Sequence, residues 1–458
     1  MKITVINGSP KGSKSNTIYS FYYIQKQFPQ HIYNLFNVGK EINKIDRNEE
    51  GIYDKIVQTI KDSDLILWVA PVYVFSVPSQ LIRFVEMLYS RNDEKIFEGK
   101  YASFITTSLH IMDNFACDYM RAVSEELGMN FVASLTAETN DILSKEERKK
   151  LLVFANYIIN ATEKKIVIQK HFLDNELNKN KTAFALSNSF SKINTAKKIV
   201  ILTDNDKNNN INHIVETFSG FFITKPEIVN MSTLEVKGGC YGCLFCGFDN
   251  ICIYDFGGKD KFTEFFNDNI KTADIIVFAF TLSDGIIPSK MKQFLDRVFF
   301  NNHTQPMLGK QLAYIVSGRL HKLAFIRPIL EGFAEIQAAN PVGIFSDEND
   351  NLDSSLYALA EDAVFFSNEQ YVKPLNFIGV GSHKILRDNV YGYYRKILCA
   401  DYFYFRKNKM FDFPKRNFFT WLQVSTILIL NKSMLFRKIY YKSAHKKAVK
   451  CLDEAINK

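Results

Sequence analysis

The 458-residue sequence has no apolar run long enough to cross a lipid bilayer. Its longest, Phe418–Leu430, falls short of the roughly 20 residues that a membrane helix needs. At the amino end, Gly8-Ser9-Pro10 interrupts a short apolar run at once, which excludes a secretory signal. The formal net charge is a moderate +8. These features predict a cytoplasmic protein without a transmembrane segment.

A disulfide framework is not expected either, because a chain of this length can bury a large apolar core. The cysteines number seven, an odd count, and four of them lie close together at Cys240, Cys243, Cys246 and Cys252. Clustered cysteines in such a chain indicate a metal or redox site.

An internal repeat of about 200 residues organises most of the chain. Lys2–Ile6 aligns with Lys198–Leu202, and Asp64–Tyr89 aligns without a gap with Asp274–Phe299. The offset between the copies grows between these two blocks, so the extra length of the second copy falls in the interval that holds the clustered cysteines. We predict a tandem duplication.

Each copy alternates short apolar, β-branched segments with segments whose apolar residues recur at helical spacing. Ile3–Ile6, Leu65–Val69 and Phe104–Thr107 are typical of strands buried on both faces. This alternation predicts an α/β protein with two doubly wound parallel sheets, whose ligands bind at the carboxyl ends of the strands.

The predicted domains cover residues 1–165 and 197–375, with a polar linker at 166–196. The tail, residues 376–458, holds 17 Lys and Arg against 5 Asp and Glu. A nucleic acid or a membrane surface is one kind of partner for such a tail. Because it has no nucleic-acid-binding motif, we favour a helical extension that packs aromatic residues on the domains and exposes a basic face. Those residues are Tyr402, Phe403, Phe405, Phe411 and Phe413.

A polar loop with two glycines, Gly8–Thr17, joins the first strand to the first helix. A helix start offers unpaired N–H groups and the positive end of the helix dipole, so it attracts phosphate. The loop matches neither the nucleotide P-loop nor the G-x-G-x-x-G pattern. We therefore predict a terminal phosphomonoester such as that of FMN, the alternative being a polar turn that ends in a helix cap. In the second copy Asp204 and Asp206 replace Gly8 and Pro10, and their carboxylates would repel a phosphate.

This loop, with Ala70-Pro71-Val72-Tyr73 and Pro78 before a later helix, resembles the NADPH-dependent FMN reductases of the flavodoxin-like fold. In that family the first loop holds the FMN phosphate, and the Pro-Val-Tyr loop and the loop after the next strand enclose the isoalloxazine. The resemblance implies an FMN site made of Ser9, Lys11, Ser15, Asn16, Thr17, Pro71, Val72, Tyr73, Val74, Phe75, Thr107, Ser108 and His110. The second copy has Thr281-Leu282-Ser283-Asp284-Gly285 instead, which argues against a second flavin.

The spacing of the four cysteines resembles the compact motif of iron–sulfur flavoproteins, which share this fold and carry a [4Fe–4S] cluster. Such tight spacing favours a cluster over zinc, which usually takes two separated Cys-x-x-Cys pairs. A loop without a metal is the further alternative. Flavodoxin-like reductases commonly pair subunits near the flavin, so we hypothesise that the tandem mimics such a dimer and brings Cys240–Cys252 close to the FMN of the first copy.

We predict a flavin-dependent NAD(P)H oxidoreductase that passes electrons through FMN to a quinone, another flavin, or the cluster and a partner protein. The flavin carries the chemistry, so no side chain is assigned as catalytic. A non-enzymatic FMN and iron–sulfur electron carrier and a degenerate flavodoxin-like binding module are the alternatives. We expect no nucleic acid partner, and we leave open whether the internal pair assembles into a homo-oligomer.

Overall fold

A computed structural model describes residues 1–443 except 139, 167, 169, 171, 173–189, 205–208, 259, 283–286, 322, 324, 349–351, 414–417 and 441. The chain forms two compact units, Met1–Phe405 and Arg406–Lys458. The first unit contains both segments of the predicted repeat, called here the first and second copies, and the first helices of the tail.

The first copy contains one parallel sheet covered by helices. Its strands are β1 (Lys2–Asn7), β2 (Ile32–Phe36), β3 (Leu65–Pro71), β4 (Tyr101–Ser108) and β5 (Asn130–Glu138), in the order β2-β1-β3-β4-β5. Its helices are α1 (Asn16–Gln27), α2 (Val38–Asp46), α3 (Ile52–Lys61), α4 (Ser79–Ser90), α5 (Asp113–Glu126) and α6 (Lys145–Glu163). β1, β3 and β4 are almost wholly buried because helices cover both faces of the sheet, which explains their continuous apolar sequences.

The second copy repeats this plan. Its strands are β6 (Ile199–Thr203), β7 (Glu227–Asn230), β8 (Ile275–Leu282), β9 (Gln311–Gly318) and β10 (Asn340–Ser346), in the equivalent order β7-β6-β8-β9-β10. Its helices are α7 (Asn209–Gly220), α8 (Phe262–Phe265), α9 (Ser289–Val298), α10 (Ile326–Ile336) and α11 (Leu352–Asn368). This strand order is that of flavodoxin. The predicted class, α/β with two flavodoxin-like doubly wound sheets, is confirmed.

The two copies pack against each other through the equivalent helices α4 and α9. The Asp296 carboxylate on α9 accepts a hydrogen bond from the N–H of Ser79 at the start of α4, at 2.9 Å. In the same way, Glu86 on α4 accepts one from the N–H of Ser289 at the start of α9, at 2.6 Å. A carboxylate at a helix start is stabilised by the unpaired N–H groups and the dipole. Each copy therefore caps a helix of the other.

Two helices of the predicted extension belong to the first unit. They are α12 (Phe377–Tyr391), which packs on α10, and α13 (Cys399–Lys407). Phe405 is buried as expected, but Phe403 is 63% exposed, so the prediction that it packs on the domains was wrong. Residues two apart on a helix point to different sides, and only one side of α13 meets the core. Phe411 and Phe413 lie in the second unit, with their rings stacked on each other at 6.1 Å.

The second unit contains α14 (Phe418–Leu430), the apolar segment noted in the sequence. Among the described residues, none of the helices combines the length and the apolar character needed to span a membrane.

Candidate functional site

A cavity of about 300 Å³ opens at the carboxyl ends of β1, β3 and β4, where this fold binds its ligands. Twelve of the thirteen residues that the resemblance assigns to FMN line it. They are Ser9, Lys11, Ser15, Asn16, Thr17, Pro71, Val72, Tyr73, Val74, Phe75, Thr107 and Ser108. The thirteenth, His110, is not among the described residues that line this cavity. Three loops that are distant in the sequence thus meet at one place.

The loop after β1 is fixed by the side chain of Asn7. Its amide donates to the carbonyl of Gly12 and to Asn37 Oδ1, both at 2.9 Å, and its oxygen accepts from the N–H of Ser9 at 3.1 Å. Gly12 has a φ of +56°, which glycine adopts without strain. Ser15 precedes α1, but its side chain does not cap the helix. The first N–H groups of α1 are therefore available to an anion.

A tight loop between β3 and α4 forms another wall. The N–H of Tyr73 donates to the Ser76 carbonyl at 2.7 Å, and the N–H of Ser76 donates back to the Tyr73 carbonyl at 3.1 Å. Val74 and Phe75 inside the loop have φ values of +38° and +65°, which are strained for side chains of this kind. Phe75 is buried and lines a small internal cavity together with core residues of the second copy, including Phe278. Packing between the copies thus maintains a strained turn next to the cavity.

The second copy closes the facing side with the segment Cys240–Cys252, called here the cysteine loop. Cys240, Gly242 and Leu244 line the cavity. Gly242 lies so close to Tyr73 that a Cβ at its position would be 1.9 Å from Tyr73 Oη, and its φ is +61°. Only glycine satisfies both conditions. This contact agrees with the hypothesis that the cysteine loop lies beside the flavin loops of the first copy.

An ion pair on α9 contacts the Tyr73 loop. Lys292 donates to the backbone carbonyl of Tyr73 at 2.6 Å and to the carboxylate of Asp296, which itself lines the cavity. Both side chains are at most 1% exposed. Burial lowers the pKa of Lys292 and raises that of Asp296, while the charge of each opposes the shift of the other. The pair joins the site to the α4–α9 interface.

A histidine on the cavity wall also comes from the second copy. His303 Nδ1 lies 2.7 Å from the carboxylate of Asp401 on α13. His110 makes a pair of the same length with Asp113 outside the cavity. An imidazole oriented by a carboxylate can exchange a proton at its other ring nitrogen. The sequence drew attention to His110 because it follows β4, whereas the structure brings His303 to the cavity.

Sequence analysis did not select the residues that complete the cavity. Apart from the cysteine loop, they are Leu109 and Ile111 of the first copy, Asp296, Phe299, Asn302, His303 and Ile336 of the second copy, and Leu386, Asn389, Tyr394 and Leu398 of the tail. No motif marks them. The repeat itself was the one available signal, because pairing the equivalent segments around α4 and α9 brings this face of the second copy to the flavin loops of the first.

The first copy thus combines the strand order of flavodoxin with a cavity formed by the loop after β1 and the loop between β3 and α4. Residues 1–140 match the model of the NADPH-dependent FMN reductase family. This FMN reductase match confirms the family resemblance over the first domain. No curated protein matches the chain.

Several solved structures are similar to part of this chain. One is an NADH:FMN oxidoreductase in its apo form, 19% identical, covering 36% of this chain and 89% of that one with a TM-score of 0.30. Another is an FMN-dependent NADH-azoreductase from Bacillus anthracis str. Ames Ancestor in complex with FMN, 15% identical, covering 36% and 98% with a TM-score of 0.27. A third is an NAD(P)H:quinone oxidoreductase from Methanothermobacter marburgensis, 13% identical, covering 35% and 95% with a TM-score of 0.27.

The four cysteines next to the FMN reductase-like domain line a second, small cavity of about 20 Å³. Burial raises the pKa of Cys240 to about 12, and it also raises the pKa values of Cys246 and Cys252. Neighbouring cysteine thiolates add to these shifts, because the four side chains line the same small cavity. Within the described part of the chain, no three Cys, His, Asp or Glu side chains form a group that could hold a metal ion.

An Arg–Asp pair anchors the cysteine loop. Arg297 makes two hydrogen bonds to Asp260, at 2.9 and 3.0 Å, and donates to the Gly238 carbonyl at 3.1 Å. Its guanidinium also covers the ring of Tyr254 at 4.2 Å. Burial disfavours the charged form of both side chains, but their mutual hydrogen bonds and opposite charges favour it more strongly. The pKa of Arg297 is therefore raised and that of Asp260 is lowered. The loop thus has a fixed base with a positive charge near Cys252.

The turn after β6, equivalent to the phosphate loop, belongs to another cavity. Asp204 lines a space of about 640 Å³ together with Arg83 and Lys237. Asp206 lies outside the described residues, as does the segment Ser283–Gly285. The absence of phosphate and flavin binding in the second copy stays a prediction.

Proposed function

We propose that the protein is a flavin-dependent NAD(P)H oxidoreductase that binds one FMN in the cavity at the carboxyl ends of β1, β3 and β4. The observation that carries the proposal is the convergence in one cavity of twelve residues selected from three separate loops. The family match over residues 1–140 supports it independently of the geometry.

The residues of the cavity suit both ends of FMN. The uncapped start of α1 and the side chains of Ser9, Lys11 and Ser15 supply donors and positive charge for the phosphate. Tyr73 and Phe299 provide aromatic walls for an isoalloxazine. Charged donors at one end and apolar walls at the other orient the ligand.

FMN, when bound, supplies hydride and single-electron transfer between NAD(P)H and an acceptor. The chain's own residues bind the phosphate, hold Tyr73 in place through Lys292, and exclude water with the cysteine loop and the tail helices. His303, oriented by Asp401, is the group that we assign to proton exchange at the cavity. A quinone, a second flavin or a redox partner protein is the acceptor.

We propose further that Cys240, Cys243, Cys246 and Cys252, which line one small cavity but are not arranged there as a metal-binding group, close around a [4Fe–4S] cluster, which would supply one-electron transfer. Their shared cavity and the positive charge of Arg297 near Cys252 support this, because bound thiolates are anionic. Anaerobically purified protein should contain about four irons and four sulfides per chain and give an EPR signal when reduced. Zinc in place of iron, or less than one iron per chain, rejects the cluster and leaves the flavin proposal intact.

The FMN proposal is tested by titrating the apoprotein with FMN and following flavin fluorescence. Lys11→Ala should weaken binding at least tenfold, because it removes a charge-assisted contact to the phosphate. Lys14→Ala is the matched control, since Lys14 belongs to the same loop but not to the cavity wall. Failure of the unaltered chain to bind FMN refutes the proposal.

Steady-state kinetics distinguish the enzyme from an electron carrier. The enzyme should oxidise NADH or NADPH repeatedly with a quinone or ferricyanide as acceptor. FMN-loaded protein that exchanges electrons with a chemical reductant, but turns over neither nicotinamide, would be a carrier instead.

A further inference from the structure

The second compact unit, Arg406–Lys458, has a surface that a flavin site does not require. Within it, α14 is mostly apolar, and its large side chains are exposed around the helix rather than along one stripe. Trp421 is 64% exposed, Leu428 64% and Ile429 66%. The exposed apolar surface continues with Met434, Leu435 and Ile439. A contiguous apolar patch of this kind marks an interaction site, since water solvates it poorly.

The polar groups of α14 are compatible with an apolar environment. No charged residue occurs between Arg416 and Lys432. The hydroxyl of Thr426 donates to the carbonyl of Leu422 at 2.8 Å, so it is satisfied within the helix. A helix satisfies its own backbone groups, so insertion of this segment leaves few polar groups without hydrogen bonds.

Positive charge flanks the apolar segment on both sides. The unit contains 13 Lys and Arg against 3 Asp and Glu, in a chain whose net charge is +8, so the remainder of the chain is slightly acidic. Lys415 and Arg416 precede α14, and Lys432, Arg437 and Lys438 follow it. Basic side chains next to an apolar segment attract anionic lipid headgroups and can extend their stems along the apolar surface.

The length of α14 determines how such a segment would lie. Its 13 residues extend about 20 Å, less than the roughly 30 Å of a bilayer's hydrocarbon core. We propose that residues 406–458 bind the surface of an anionic lipid bilayer, with α14 immersed among the acyl chains of the near leaflet, because its apolar side chains surround the helix and leave no polar face for the headgroups. The flanking lysines and arginines contact the headgroups. This proposal does not depend on FMN.

The observations favour a lipid surface over a nucleic acid. Phosphate contacts would use the basic residues, but aliphatic side chains such as Leu428 and Ile429 gain nothing from a nucleic acid backbone. A bilayer interface satisfies both features of the segment at once. It is also where apolar quinones are concentrated, which would bring a flavin oxidoreductase close to such an acceptor.

The native tryptophans make the test direct. Trp68 is fully buried in the first domain and Trp421 is exposed on α14, so a binding-dependent change in emission reports on Trp421. The full chain is mixed with phosphatidylcholine vesicles that contain or lack phosphatidylserine, and binding is measured by sedimentation. We expect binding to the anionic vesicles only, a blue shift of tryptophan emission, and weakening by salt.

Variants separate the apolar and the charged contributions. Leu428→Glu should weaken binding at least tenfold, and Lys432→Gln and Lys438→Gln should each weaken it about fivefold. Phe377→Glu is the matched control, because Phe377 is an exposed apolar residue of the first unit. This variant should bind vesicles as strongly as the unaltered chain does. Unchanged FMN affinity and circular dichroism in each variant show that the chain still folds.

Three results would overturn the proposal. Equal binding to neutral and anionic vesicles removes its electrostatic basis. Binding to an oligonucleotide but not to vesicles assigns the unit to nucleic acid. A free chain whose Trp421 emission is already blue-shifted, with no vesicle binding, shows that α14 is covered by protein, either its own chain or a second copy.

Discussion

Replacing Asp296 with alanine tests the buried ion pair that lies between the α4–α9 interface and the cavity at the carboxyl ends of β1, β3 and β4. The substitution removes the partner of Lys292 and the acceptor for the Ser79 N–H, and it leaves an ammonium group at a position that is 1% exposed. Breaking a buried pair from one side costs about 3–5 kcal/mol, because the remaining charge has neither water nor a counter-charge. The free energy of unfolding should therefore fall by about that amount.

Glu86→Ala is the matched comparison, since Glu86 caps α9 just as Asp296 caps α4. The side chain of Glu86 is 23% exposed and its partner Arg83 is 41% exposed, so solvent replaces much of what is lost. The expected cost is about 1 kcal/mol, the typical value of a helix cap. Asp296→Ala should thus lower the free energy of unfolding several times more than Glu86→Ala does.

Urea unfolding of the full chain measures the difference. In a Trp421→Phe background, fluorescence reports on the buried Trp68 alone. The double variant Lys292→Met/Asp296→Ala should be more stable than Asp296→Ala, because the unpaired charge has gone. If Asp296→Ala does not fold, Asp296→Asn replaces it with the same expected order. Equal losses for Asp296→Ala and Glu86→Ala, or a double variant less stable than Asp296→Ala, would refute the reasoning.

Four further results are expected. Ser15→Asp should fold, because aspartate suits a helix start, but its charge should abolish FMN binding in fluorescence titration, whereas Ser15→Asn should retain binding. Gly242→Ala should weaken FMN binding more than Gly51→Ala, since both have positive φ but only the former meets Tyr73; equal affinities would contradict the proposed contact. His303→Gln should lower turnover with a quinone about 100-fold, and the same loss in His110→Gln would show that the cavity position is irrelevant. The pKa of Asp260 is lowered in the folded state, so its contribution to stability is present above about pH 4 and is lost as the pH falls. Asp260→Asn should therefore destabilise the chain at pH 7 and make its stability depend less on pH in the acid range. An unchanged acid unfolding curve would count against the Arg297 pair.

Features that depend only on residues close together in the sequence could be predicted from it. A buried strand, a polar turn and a helix start are contiguous in Gly8–Thr17, so the loop could be assigned and its position at the cavity followed from the fold. The strand β3 was likewise predicted from its apolar sequence, whereas the Tyr73 loop was assigned through the family resemblance. His110 shows the limit, because proximity to the end of β4 does not decide which way a residue with a φ of +57° directs its side chain.

Features that depend on pairing between the copies could not be assigned in this way. The contact between Lys292 and the Tyr73 carbonyl spans 219 positions, and no local pattern encodes it. Asp296 and Glu86 do occupy equivalent positions of the repeat, as do Ser79 and Ser289. That correspondence becomes informative only once α4 and α9 are known to lie side by side. Nor does any local pattern mark the division between the two units at Phe405, with α12 packed on α10 in the first of them.

The exchange of caps between α4 and α9 has a consequence for how the protein can be divided. A protease that cut the connection between the two halves would release neither, since each half still supplies the carboxylate that completes the other's helix. Produced alone, the amino-terminal half would keep its phosphate loop but lack the wall that holds Tyr73. The halves should therefore acquire the proposed flavin affinity only when mixed, as fragments of one folded unit rather than as two independent domains.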